Sequence, residues 1–72
     1  MHQYKVIAYA DIDGTRREAA FRYADSPAQA LQFYDEYSGA KNEEGNALYS
    51  LVTLQVAVYK TAGISDFRKL YT

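Results

Sequence analysis

The dipeptide Asp13-Gly14, which separates two segments of alternating hydrophobicity, constrains the fold of this chain more than any other feature. Both central residues of a type I′ hairpin turn need a positive φ, and Asp-Gly adopts this conformation readily. The flanking segments, residues 4–10 and 15–23, are rich in residues that favour strands. The sequence therefore predicts an antiparallel hairpin in its first third.

A two-residue turn at positions 13 and 14 also predicts which strand residues lie opposite one another. The expected pairs on one face are Ala8 with Ala19, Val6 with Phe21 and Tyr4 with Tyr23, and those on the other face are Tyr9 with Glu18, Ile7 with Ala20 and Lys5 with Arg22. The first face is apolar throughout. Because a slip of one residue would exchange the two faces, the agreement between turn and pattern favours this register.

A helix is predicted to follow the hairpin. Ser26 is a good N-cap, Pro27 suits the first helical position, and Gln29 completes a capping box. Apolar side chains then recur at helical spacing, and Gly39 favours the end of the helix. Residues 39–46 are predicted to form an exposed loop.

The rest of the chain predicts one long strand and an ambiguous tail. Apolar residues alternate through residues 48–60, and residues 61–63 end the pattern. The spacing of Ile64, Phe67, Leu70 and Tyr71 matches a short helix, whereas the alternation of Phe67, Lys69 and Tyr71 matches an edge strand. We favour the strand slightly over the helix.

The predicted order is therefore ββαβ, with a fourth strand or a short helix at the C-terminus, in one α+β domain spanning residues 1–72. One helix covers one face of a three- or four-stranded antiparallel sheet, which gives two layers. A right-handed crossover places the first strand between the second and the third. A chain of 72 residues buries only about 60% of its unfolded surface, and this one has no cysteine for a disulfide. A homodimer is one way to gain the missing burial.

Residues 6–15 form an apolar strand that ends in Asp-Ile-Asp-Gly-Thr. This pattern resembles the first motif of the haloacid-dehalogenase-like phosphatases, which implies that Asp11 is a nucleophile and Asp13 a general acid/base beside Mg²⁺. That family has a helix after each parallel strand, whereas a strand pattern follows the motif here, and no later acidic pair follows a buried strand. A phosphatase-like enzyme is the remote alternative, and hairpin geometry is the preferred explanation of the motif.

Other catalytic and metal-binding patterns are missing from the sequence. His2 is the only histidine, it lies beside the N-terminus, and there is no cysteine. A catalytic base needs a fixed position, which a chain end rarely provides. The glycines are isolated from one another, so the sequence contains no phosphate-binding loop. We therefore expect a protein that is not an enzyme and that uses neither a cofactor nor a metal ion.

The sheet face opposite the helix is the most informative predicted surface. It is expected to carry aliphatic, aromatic and basic side chains together, namely Lys5, Ile7, Tyr9, Arg22, Tyr49, Leu51, Gln55 and Tyr59. A solvated face of an antiparallel sheet is normally polar, whereas aromatic residues and arginine are enriched in protein interfaces. We expect this face to bind a protein partner, unless the C-terminal segment folds over it.

A second candidate surface is acidic. Residues 25–46 contain five of the nine acidic side chains and a single lysine, and the edge that they form includes Asp35, Glu36, Glu43 and Glu44. Such an edge could meet the basic groove of a nucleic-acid-handling protein, and the alternative is an ordinary solvated helix face. In size and charge the chain is similar to small phage-encoded inhibitors, including anti-CRISPR proteins, which implies an antagonist of a host complex.

The leading hypothesis is a small interaction protein of the cytoplasm, which would be the host cytoplasm for a phage-encoded inhibitor. No segment approaches the roughly 20 apolar residues that span a bilayer, so no membrane partner is expected. The alternative function is a single-stranded nucleic-acid-binding module that stacks bases on tyrosines and contacts phosphates with Lys5, Arg16 and Arg22. The net charge of −1 disfavours it, because nucleic-acid-binding domains are usually basic.

Overall fold

The computed structural model describes residues 3–57 and 60–71. Its elements are β1 (Tyr4–Ile12), β2 (Thr15–Ala24), α1 (Pro27–Gly39), β3 (Leu51–Val56), β4 (Lys60–Ala62) and α2 (Ile64–Tyr71). The strands form one antiparallel sheet in the order β2-β1-β3-β4. The predicted α+β class, the helix after the hairpin and the position of β1 between β2 and β3 are confirmed.

The turn between β1 and β2 forms as its sequence predicts. Asp13 and Gly14 both have a positive φ, 53° and 79° respectively, which is the backbone conformation of a type I′ turn. Next to the turn the register is also as predicted, with Tyr9 opposite Glu18. Most side chains would be strained at the φ of Gly14, so the turn requires a glycine there.

A β-bulge at Ala19 changes the register in the half of the hairpin far from the turn. Ala8 lies opposite Ala20 while Tyr9 lies opposite Glu18, so Ala19 has no partner on β1. Beyond the bulge the pairs are Val6 with Arg22, Ile7 with Phe21, Lys5 with Tyr23 and Tyr4 with Ala24. The predicted pairs in this half are therefore wrong by one residue. An extra residue on one strand reverses the side on which each later side chain lies.

Helix α1 begins and ends where the sequence predicts. The side chain of Ser26 accepts a hydrogen bond from the backbone N–H of Gln29 at 3.1 Å, and the Gln29 side chain accepts one from the backbone N–H of Asp25 at 2.9 Å. Pro27 is the first residue of the helix, and Gly39 is the last. These caps position α1 so that it buries Ala30, Leu31 and Phe33.

The C-terminal third differs from the prediction. The long strand over residues 48–60 is instead the shorter β3, and the three-residue β4 is separate from it. The tail is helical, and the preference for an edge strand was wrong: the backbone N–H of Phe67 donates to the carbonyl of Gly63 at 2.9 Å, and α2 buries Phe67. Tyr59 lies outside the described residues.

Both helices pack on the same face of the sheet. The core there is formed by Val6, Ala24, Ala30, Leu31, Phe33, Leu54 and Phe67, which come from three strands and both helices. The C-terminal segment therefore does not fold over the opposite face, as the alternative prediction required. Within residues 3–57 and 60–71, no helix is long and apolar enough to cross a membrane.

Candidate interaction surface

Side chains from three strands form the sheet face opposite the two helices, which we call the free face. It consists of Lys5, Ile7 and Tyr9 from β1, Glu18, Phe21 and Tyr23 from β2, and Leu51, Thr53 and Gln55 from β3. At its centre Ile7 is 1% exposed, whereas Phe21 is 51%, Tyr23 47% and Leu51 39% exposed. The free face is therefore a buried aliphatic centre surrounded by half-exposed aromatic and aliphatic side chains.

Phe21 and Tyr23 form an ordered aromatic pair on the β2 side of the free face. Their ring centroids are 5.5 Å apart with an interplanar angle of 79°, which is an edge-to-face contact. The ammonium of Lys5 lies over both rings, with Nζ 4.6 Å from the Phe21 centroid and 5.7 Å from the Tyr23 centroid. Because these contacts order the side chains in advance, less entropy is lost when a partner binds.

Arg22 was predicted on the free face, and this placement is wrong. Beyond the bulge Arg22 lies on the helix side, where its guanidinium carbon is 3.6 Å from the centroid of the Phe33 ring. Its Nη1 donates a hydrogen bond to Glu36 Oε2 at 2.7 Å. Arg22 therefore covers an aromatic ring of the core with its side chain, and Lys5 is the cation beside the aromatic pair.

Tyr49 also lies elsewhere than predicted. β3 begins only at Leu51, and Tyr49 packs edge-to-face on Tyr37 of α1 with centroids 5.4 Å apart. Burial raises the pKa of the Tyr37 hydroxyl above its ordinary value of 10.0, although the charge of Arg22 acts in the opposite direction. Tyr49 precedes β3, so the alternation of side chains along the strand, from which its orientation was predicted, does not apply to it.

The other described residues of the predicted face lie on the free face, and these are Lys5, Ile7, Tyr9, Leu51 and Gln55. The predicted member Tyr59 lies outside the described residues. Phe21 and Tyr23 are not among the predicted residues of this face, because a hairpin without a bulge places both on the helix side. The only local signal of the bulge is the pair Ala19-Ala20, whose short side chains do not define a face.

At the turn end of the sheet, charged side chains pair locally. Asp11 Oδ1 lies 3.7 Å from Arg16 Nε, and Glu18 lies opposite Tyr9. Asp13 is part of the turn of an antiparallel hairpin, whereas the phosphatase resemblance implies a parallel sheet. Among the residues that the structure describes, no three His, Cys, Asp or Glu side chains are grouped so that they could hold a metal ion. Turn geometry is sufficient to explain this motif.

Two of the four acidic-edge residues are paired within the chain. Both carboxylate oxygens of Asp35 accept hydrogen bonds from the guanidinium of Arg68 on α2. Glu36 forms an ion pair with Arg22. These contacts join α1 to α2 and to β2, so the two carboxylates have structural roles.

The other two acidic-edge residues lie in the loop before β3. Glu43 and Glu44 are exposed there, and the loop is organised by the Asn42 side chain. Its oxygen accepts hydrogen bonds from the backbone N–H groups of Glu44 at 2.9 Å and Asn46 at 3.0 Å. The acidic edge is thus reduced to two unpaired loop carboxylates among the described residues, and the free face is the stronger candidate.

Comparison with known protein families, with curated proteins and with solved structures finds no match to this chain. The geometry of the free face is therefore the basis on which a function is proposed.

Proposed function

We propose that this protein is a small non-enzymatic interaction domain that binds a protein partner through the free face. The observation that carries the proposal is the exposure of Phe21, Tyr23 and Leu51 around the buried Ile7. Removing such apolar surface from water contributes roughly 25 cal/mol per Å². Well-packed aromatic residues near the centre of a patch are also the usual source of binding energy in protein interfaces.

The partner that the charges favour is a second copy of the chain. Lys5 and Glu18 lie on the free face on opposite sides of Ile7, because Glu18 is opposite Tyr9. A two-fold axis that lies between two facing sheets, perpendicular to the strands and crossing β1 at Ile7, would bring Lys5 of each copy over Tyr9 and beside Glu18 of the other. The same axis places the Phe21 rings of both copies beside it. Such an interface is isologous, so both copies use the same patch.

A second copy also suits the size of the chain. A domain of 72 residues leaves a large fraction of its apolar surface unburied and has few means of compensation. Pairing two free faces would cover Phe21, Tyr23 and Leu51 of both chains at once. Dimerisation would therefore stabilise the fold as well as form the interface.

The substitution Phe21→Glu tests the proposal, because it puts a charge at the centre of the interface without touching the helix-side core. We expect this variant to be folded, with the far-UV circular dichroism spectrum of the wild type. In sedimentation equilibrium it should have the mass of a monomer, which is half the mass of the wild-type dimer. Ile12→Glu is the matched control, since Ile12 is similarly exposed but lies outside the free face. It should keep the mass of the dimer.

Two outcomes would contradict this assignment. A monomeric wild type would exclude the second copy as the partner. A dimeric Phe21→Glu variant would place the contact between copies on another surface.

A single-stranded nucleic acid is the weaker alternative, because two of its three predicted phosphate-binding residues are engaged. Arg22 pairs with Glu36, and Arg16 pairs with Asp11. Quenching of tyrosine fluorescence by an oligonucleotide, weakened by added salt, would favour this alternative over a protein partner. The prediction of a phage-encoded inhibitor depends on size and charge alone and stays a prediction.

A further inference from the structure

A cavity of about 460 Å³ opens between α2, the beginning of β1 and the ends of β3 and β4. Most of its wall is apolar and includes Val56, Ala62, Phe67 and Leu70. The cavity lies on the helix side of the sheet, and none of its described lining residues belongs to the free face. Its volume falls within the roughly 300–1,000 Å³ of pockets that hold small molecules.

Three aromatic rings line the described part of this cavity. Tyr4 and Phe67 meet edge-to-face with centroids 5.8 Å apart, and the ring of Tyr71 is tilted by 44° from that of Phe67 with centroids 4.8 Å apart. Burial, followed by the contact with Tyr71, raises the pKa of Tyr4 above 10.0, so its phenol is neutral at physiological pH. Tyr71 and Leu70 are 50% and 76% exposed and form the outer rim.

Asp66 is the one charged residue in the described wall of the cavity. Its carboxylate lies near Gly63 at the beginning of α2, where the helix stabilises negative charge. Among residues 3–57 and 60–71, no lysine or arginine forms an ion pair with it. Within the part of the chain that the structure describes, the cavity therefore combines aromatic surface with one carboxylate that forms no ion pair with a lysine or arginine.

We propose that this cavity binds a small organic cation whose ammonium group carries methyl or other alkyl substituents. Such a cation is attracted by the electron-rich faces of aromatic rings, and its carbon substituents are easily removed from water. Asp66 supplies the opposite charge, and it would repel a phosphate or carboxylate ligand. The hydroxyl groups of Tyr4 and Tyr71 add polar atoms to the aromatic part of the wall.

Choline is a suitable probe, and 3,3-dimethylbutan-1-ol is its control because it has the same shape without the charge. In titrations at constant ionic strength, we expect choline to shift the amide NMR signals of Gly63, Phe67 and Tyr71. It should bind roughly tenfold more tightly than the neutral alcohol. Equal binding of the two compounds, or choline shifts confined to other parts of the chain, would overturn the proposal.

Two variants test the roles of the charge and the rings. Asp66→Asn removes the charge at almost constant size, and Tyr71→Leu removes one ring from the rim. Each should weaken choline binding by roughly five- to tenfold with unchanged far-UV circular dichroism. Asp11→Asn is the matched control, because it removes a carboxylate at the far end of β1, and it should bind choline as the wild type does.

The decisive result is that of Asp66→Asn, since unchanged affinity in this folded variant would exclude recognition of the cation by its carboxylate. The free face is not involved in this test. A Phe21→Glu variant should therefore bind choline normally, and the failure of either proposal would leave the other intact.

Discussion

Lys5 and Arg22 lie on adjacent strands, one position apart in register, yet their side chains lie on opposite faces of the sheet. Each places its charge over an aromatic ring, Lys5 over Phe21 and Arg22 over Phe33. Arg22 also pairs with Glu36 and so helps to hold α1 against the sheet. Lys5 stays on the free face, where it is available to a partner. The contact of a cation with an aromatic ring therefore contributes to packing at Arg22 and to the proposed recognition surface at Lys5.

A charge exchange tests the arrangement of the two copies at the level of single residues. Lys5→Glu and Glu18→Lys should each weaken dimerisation by roughly three- to tenfold, because like charges would then face each other. The double variant should recover most of the affinity, as measured by sedimentation at low ionic strength. A double variant no tighter than either single variant would contradict the proposed two-fold arrangement.

At this scale, the sequence predicts those residues whose strand keeps a regular alternation. Lys5, Ile7 and Tyr9 lie on the predicted face because the alternation of side chains along β1 is regular, and Leu51 and Gln55 follow from β3. Residue type alone does not predict that an arginine will cover Phe33, since its long side chain reaches either solvent or a ring.

Among the elements, the β1–β2 hairpin shows most clearly where prediction from sequence ends. The turn is determined locally by two residues that tolerate positive φ. The bulge at Ala19 depends on which side chains of β2 can be buried. With the bulge, Ala24 lies on the helix side, where it is fully buried. Because the burial of Ala24 involves α1 and the core, the sequence pattern of the hairpin alone does not predict the bulge.

Deleting Ala19 should leave the hairpin in its native arrangement. The shortened strand can still pair Ala8 with Ala20 and Tyr9 with Glu18, because the deleted residue has no partner on β1. We expect native cross-strand NOEs between Ile7 and Phe21 and an unchanged dimer mass. Loss of folding would show that the bulge itself is necessary.

The matched deletion is that of Arg22, three positions further along β2. It would turn Tyr23 towards the helix side and displace Ala24, which is fully buried. This variant should melt at a clearly lower temperature than the Ala19 deletion in circular dichroism. Similar melting temperatures would contradict the face assignment of β2.

The tail is the other element that the sequence left ambiguous. Its apolar residues fit both a strand and a helix, and a segment this short has little intrinsic preference. Tertiary contacts decide the outcome, since the helix buries Phe67 against Tyr4 and brings Arg68 to Asp35. Neither contact is visible in the local pattern.

The whole molecule is asymmetric, because both helices cover one side of a four-stranded sheet. The two-layer organisation follows from the order of elements, and it is predictable. The addition of α2 to the same layer as α1 is not, because it depends on the contacts of Phe67. In this arrangement neither helix covers the free face, and the cavity forms beside α2.

Alkaline pH should destabilise the whole molecule through its tyrosines. Burial is the main cause that raises the pKa values of Tyr4 and Tyr37 above 10.0, the value for the unfolded chain. Their neutral forms therefore stabilise the fold below this pH, and the contribution is lost as the pH rises through the folded-state values. We expect the melting temperature to fall as the pH rises above 10.0, and to fall less in Tyr37→Phe. An equal fall in both proteins would exclude a contribution from Tyr37.

The ten-residue β2 forms one margin of the sheet, and such a strand would ordinarily recruit further strands by its unpaired backbone groups. The irregularity at Ala19 and the exposed Arg16, Arg17 and Arg22 hinder that recruitment, while β4 at the other margin has only three residues. Growth by strand addition is therefore blocked in both directions. Two copies that associate through their free faces leave neither face available to a third copy, so association should end at the dimer. Even concentrated solutions should therefore stay free of fibrils.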